Sequence, residues 1–131
     1  RAADPDLDET SPTMTSSATL WRHLGDVPVL VVPCVQLSPW HRTSTQRAYV
    51  EPSVWGSIFP AVWSFQLACR SRGLGTCLVT SLLKYDAEVR AVLGLPDDVA
   101  MAGLLAVAHT SGTFRQARRK PLDDVRRRDR W

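Results

Sequence analysis

Apolar side chains are almost missing from residues 1–12, where Asp4, Asp6, Asp8 and Glu9 stand among Pro5, Thr10, Ser11 and Pro12. A segment of this kind buries too little surface to offset the entropy of ordering it, so it reads as a flexible lead-in. From Thr13 the pattern changes. Met14, Leu20, Trp21 and Leu24 recur at roughly helical spacing and predict a short, weakly amphipathic helix that Gly25 can close. VPVLVVPC, Val27 to Cys34, is an unbroken, largely β-branched run, the signature of a strand covered on both faces and therefore central or parallel. Leu37 to Pro52 has no period and mixes Ser, Pro, Thr, Arg and His, which predicts a long surface loop of the kind that lines sites.

The most strongly patterned stretch follows. Trp55, Ile58, Phe59, Val62, Phe65 and Cys69 recur at helical spacing, and Ala61, Trp63, Leu67 and Ala68 fill the other faces, so this helix is apolar nearly all round and is expected to be the buried central one. Pro60 costs about 3 kcal/mol inside a helix, which favours a start near Ser57 with Pro60 in the first turn. Arg70 and Arg72 complement the dipole at the far end and Gly73 supplies the stop. Gly75 to Ser81 reads as a short strand, followed by a helix that Asp86 can cap and that Gly94 and Pro96 end. Met101 to Thr110 is a second buried strand, and Ser111 to Trp131, without an apolar period, an extended arm. Helices and strands in this order predict a layered α/β or α+β architecture.

Composition narrows the function classes. The chain has 131 residues with 44% hydrophobic content, enough for one compact core, and Pro28, Pro33, Pro60 and Pro96 interrupt every candidate for a membrane-spanning run. A soluble, cytoplasmic protein is the expectation, and the acidic start at Arg1 is the opposite of a signal peptide. Cys34, Cys69 and Cys77 lie in apolar stretches without paired spacing, which fits free thiols better than a disulfide framework or a zinc site. His23, His41 and His109 form no ligand pair, so no metal is expected. The net charge of +3 belongs to the tail, where Arg115 to Trp131 carries eight Lys or Arg against three Asp.

Three blocks in order, SVWGSIFPAVWSFQLACRSRGLGTCLVTSLL, VLGLPDDV and ARRKPLDDVRRRDRW, resemble the FMN-dependent nitroreductase family, and VPVLVVPC resembles the family strand before the central helix. The resemblance runs from about Thr13 to Trp131, with residues 1–12 as the lead-in and residues 13–131 as the C-terminal portion of a nitroreductase-like domain. It implies an α+β fold with a mixed sheet flanked by helices, a long buried central helix and an extended C-terminal arm, in an intertwined homodimer with FMN at the subunit interface. The implied activity is ping-pong hydride transfer from NAD(P)H to nitroaromatics, quinones or similar electron-poor acceptors. The isoalloxazine then carries the redox chemistry and the protein positions it, so no catalytic acid, base or nucleophile is expected.

Within that resemblance, Arg119, two positions before Pro121, matches the family arginine that reaches the FMN phosphate, a task suited to a planar guanidinium, and Arg118 and Lys120 are neighbours that can add charge. Thr80, Ser81 and Leu82 match the stretch whose backbone lies beside the flavin ring, where amides stabilise negative charge on the reduced ring. Leu83 stands where some relatives carry His. The family's Arg-rich front motif, helix pair and Asn-bearing loop have no counterpart in these 131 residues, so the domain is expected to be incomplete. That leaves room for a fragment or truncated, non-catalytic member with a structural or flavin-sequestering role.

Other readings of single residues are more ordinary. Trp55 and Trp63 are expected in the core, and Trp40 and His41 on the surface; Trp131 is a candidate anchor for the arm on a neighbouring subunit. A polyanion-binding function would use Arg115, Arg118, Arg119, Lys120, Arg126, Arg127, Arg128 and Arg130. Interleaved Asp123, Asp124 and Asp129 would repel phosphates, and no nucleic-acid module accompanies the tail, which argues against nucleic acid.

Overall fold

The computed structural model describes residues 12–39, 47–116 and 119–130. Arg118, Trp40, His41 and Trp131, and with them part of the predicted site, loop and arm, lie outside the described residues, as does the lead-in up to residue 11. Helix α1 (Pro12–Arg22) is followed by a 3-10 turn at Leu24–Asp26, then by strands β1 (Val29–Val31) and β2 (Cys34–Gln36). The long helix α2 (Arg47–Ser71) leads through Gly73, at a φ of 78°, into β3 (Leu74–Val79). A 3-10 helix at Ser81–Tyr85, helix α3 (Asp86–Leu93), strands β4 (Val99–Met101) and β5 (Leu104–His109) and a single helical turn, α4 (Leu122–Val125), complete the order.

The class is α+β, but the strands pair antiparallel in two small sheets rather than in a mixed one, ordered β1-β5-β3 and β2-β4. The predicted continuous strand Val27 to Cys34 is two strands with a break at Val32 and Pro33, and its first half lies at a sheet edge with Val29 and Leu30 about half exposed. Proline explains the break, because Pro33 has no N–H to give to a ladder. The doubly covered strand is instead β5, buried from Leu104 to Val107 between its two neighbours.

The core forms where α2 crosses one face of this sheet. Val62 and Cys69 from the helix meet Leu105 and Val107 from β5, with Ile58, Val31, Leu74 and Leu78 packed around them. The register explains the choice of residues, since Val31, Leu105 and Leu78 are cross-strand partners and so point to the same face. Gln66 on α2 donates to the Thr76 hydroxyl, 3.2 Å away, and ties the helix to β3 beside this cluster.

Two expectations for α2 are corrected. It begins at Arg47, well before Ser57, and carries Pro52 and Pro60 in its interior. Gly56 stands four positions before Pro60, where the ring would crowd a carbonyl, and the hydroxyls of Ser57 and Ser64 bond back to the carbonyls of Ser53 and Pro60 at 2.9 Å. Nor is it buried all round: Val54, Val62 and Cys69 are buried, whereas Phe59, Phe65, Leu67 and above all Trp63, at 58% exposure, face outward. The apolar helix has a single layer beneath it, the sheet on one side. Trp55 is half-buried and packs along the helix on Phe59, with ring centroids 6.1 Å apart.

Candidate flavin-binding site

The residues matched to the flavin-adjacent stretch begin where β3 ends. Val79, buried, is the last residue paired with β5, opposite Leu104, and the chain then turns at exposed Thr80 into the 3-10 helix. Leu83 N–H donates to the Thr80 carbonyl at 3.0 Å, which closes the first turn. Ser81 and Leu82, both half-buried, open this helix, and the leading N–H groups of a helix have no acceptor inside it. The segment therefore offers backbone donors at the C-terminal edge of β3. Thr80 makes no side-chain cap to the turn.

Behind the turn, α3 is held to its neighbours by Arg90. The guanidinium donates to Asp86 at 2.8 Å, to the Pro96 carbonyl at 3.0 Å and, closest, to the Val99 carbonyl, joining the helix, the turn after it and β4. Asp86 was expected as the cap of α3; it is the first helical residue, after Tyr85 at the cap position, and its carboxylate takes Arg90 instead. The predicted stop is as expected, with Gly94 left-handed at a φ of 63°.

Arg119 and Lys120 are exposed just before Pro121, which precedes α4. The arm that carries them leaves the sheet at its other end. His109, the end of β5, pairs with Leu74, the start of β3, so the arm departs five residues along the ladder from Val79, roughly 17 Å at the usual rise of a strand. At that end Phe114 lies under the Arg70 guanidinium, 4.6 Å from ring centroid to cation. The pair joins Trp63, Leu67 and Leu74 around a shallow cleft of about 190 Å³.

Sequence reasoning read Arg70 as a dipole partner and did not single out Phe114. Forty-four positions separate the two, and no local pattern links them. Cys34 is half-buried, and burial pushes its thiol up from the ordinary value of 9.0, an effect that Arg90 nearby partly opposes. Among the described residues no cluster of His, Cys, Asp or Glu could hold a metal ion, and no helix is long and apolar enough to cross a membrane.

The model of the Nitroreductase family matches residues 3–109. This chain belongs to the nitroreductase family. The matched span includes Thr80, Ser81 and Leu82 and stops at the end of β5, so the arm with Arg119 lies beyond it. Three solved structures share the fold: the nitroreductase-like family protein from Bacillus cereus at 20% identity, the FMN and NADPH-dependent nitroreductase NfnB of Sphigopyxis sp. strain HMH, in a mutant form, at 20%, and a BluB-like flavoprotein from Clostridium difficile 630 at 14%. Their TM-scores are 0.61, 0.59 and 0.56, over 86%, 97% and 88% of this chain. The chain spans 59%, 54% and 64% of their respective lengths. No curated protein sequence matches it significantly. As a nitroreductase-family chain it therefore carries part of its relatives' length and, within the matched span, the turn after β3.

Proposed function

We propose that this nitroreductase-family chain is the C-terminal portion of an FMN-dependent oxidoreductase that takes hydride from NAD(P)H and delivers it, in ping-pong order, to a nitroaromatic, a quinone or a similar electron-poor acceptor. The observation that carries this reading is the turn after β3, where Ser81 and Leu82 present the first N–H groups of a 3-10 helix within the span matched by the family. Donors of that kind suit the charge that a flavin ring acquires on reduction. When bound, FMN would supply the redox chemistry; Thr80, Ser81 and Leu82 would line its ring, and Arg119, with its sequence neighbour Arg118, would hold its phosphate. Hydrogen bonds from a planar guanidinium fix the phosphate in orientation as well as in charge.

A homodimer follows from the same reading. The turn and the arm leave the β3–β5 ladder at opposite ends, so an arm reaching across to a second copy brings an arginine to a turn that its own chain points away from. The outward apolar face of α2 supplies surface for such an association. The reading also puts the protein in the cytoplasm, where nicotinamide cofactors are available.

Visible absorbance tests it. The purified chain is incubated with FMN and desalted at low and at high ionic strength; flavin retained near stoichiometry supports the proposal. Arg119→Ala then weakens FMN binding by about tenfold or more, the scale of a charge-assisted hydrogen bond, and Arg119→Lys restores part of it. Flavin lost at every ionic strength sinks the reading. Retained flavin without NAD(P)H oxidation favours the flavin-sequestering alternative, and binding to polyanions that collapses with salt, without flavin, favours the basic arm as the working surface.

A further inference from the structure

The two small sheets are one bent ribbon, and the bend lies against the end of β3. Val31 pairs with Leu105 and Cys34 with Met101. Between those pairs Val32 and Pro33 on one strand face Ala102, Gly103 and Leu104 on the other, so the second strand carries one extra residue, the arrangement of a β-bulge. Ala102 N–H donates to the Pro33 carbonyl at 2.8 Å, and Pro33, lacking an N–H, has nothing to return. Gly103 absorbs the irregularity with a φ of 146°, a backbone conformation that side chains disfavour.

The same glycine touches β3. A Cβ there would lie 2.9 Å from the Val79 carbonyl oxygen and 3.1 Å from Leu78 Cδ1. Val79 is the last β3 residue on the ladder, opposite Leu104, and past the bulge the partner strand has turned away to pair with β2 as β4. So β3 has no ladder to follow beyond Val79, and the chain leaves it at Thr80.

We infer that Gly103 is a positioning residue: the bulge it permits ends β3 at Val79 and thereby sets where the Thr80–Leu82 backbone lies. The functional meaning of that position rests on the flavin reading above; the structural claim does not. Gly75 is the matched control. It sits in β3 itself, and a Cβ there would also meet a neighbour, Thr110 Cγ2 at 2.5 Å, but at the opposite end of the ladder.

Hydrogen exchange at single-amide resolution in the full chain separates the two. In Gly103→Ala the Leu83 amide, which bonds to the Thr80 carbonyl, exchanges about tenfold faster or more, an opening confined to residues near the turn. Gly75→Ala leaves Leu83 at the parental rate. Unchanged exchange at Leu83 in Gly103→Ala would overturn the inference, as would equal acceleration in both variants. So would loss of the whole fold in Gly103→Ala with Gly75→Ala still folded, since Gly103 would then serve the entire ribbon. If the parent chain binds FMN, Gly103→Ala also retains less of it than Gly75→Ala does. A parent chain that holds no flavin, with Leu83 responding as expected, would sink the flavin reading and leave this inference standing.

Discussion

Burial at single residues orders the chemistry of the thiols. Cys77 is exposed on β3, Cys34 is half-buried with its thiol pushed up by that burial, and Cys69 is buried on the sheet-facing side of α2. Because the thiolate is the reactive form, iodoacetamide modifies Cys77 first, Cys34 later and Cys69 only on unfolding, an order that peptide mapping by mass spectrometry reads directly. Equal rates at Cys34 and Cys77 would contradict it. The raised Cys34 value also has a sign: the folded state holds the thiol proton more tightly than the unfolded chain, so this contribution is complete below the ordinary value of 9.0 and is lost as pH climbs through the folded value. Cys34→Ala flattens that alkaline decline in urea midpoints. Arg90 is the more consequential side chain, since Arg90→Ala strands two backbone carbonyls and a carboxylate at once. It should cost about 1–3 kcal/mol in denaturant unfolding, and Arg90→Lys should recover only part, because an ammonium cannot span the three acceptors.

At the scale of elements, the two faces of α2 should respond in opposite ways to substitution. Leu105→Ala, opposite the helix at 1% exposure, opens a cavity in the core cluster and should cost about 2–5 kcal/mol. Trp63→Ser, on the outward face, should leave the urea midpoint of the isolated subunit almost unchanged and raise solubility; a large loss there would mean that the face is packed within the chain. This contrast also shows what the sequence could and could not convey. The ends of α2 and α3 were legible because Gly73 and Gly94 stop helices by backbone geometry, a local property. The start of α2 was not, because Pro52 and Pro60 look like stops by their local chemistry and yet both lie inside the helix. The bulge was hidden inside an apolar run, although a glycine within a strand pattern is its usual local sign. The edge position of β1 had no local sign at all, since a β-branched run reads the same whether one neighbour or two will cover it. As for the candidate site, the strand pattern ran on through Thr80 to Ser81 and gave no sign of the turn at Thr80, which only the family resemblance singled out, and the departure of the arm from the opposite end of the ladder is a matter of topology.

Taken whole, the molecule turns a row of apolar side chains outward, Phe59, Trp63, Phe65 and Leu67 on α2 and Leu30 at the sheet edge, the surface on which the proposed homodimer would draw. Sedimentation velocity should therefore find a dimer or larger species, shifted toward smaller ones by Trp63→Glu; a monodisperse monomer in the parent chain would count against the dimeric reading. Strand order adds a consequence in time. Both β1 and β3 have β5 as their ladder partner, and β5 ends at His109, 78 residues after the end of β1 at Val31. During synthesis the edges of both strands wait for one late segment, so non-local closure dominates the folding time. A ribosome paused before Leu104 would hold a chain with two open strand edges and no centre to its sheet, which makes that interval the one in which a chaperone has most to protect.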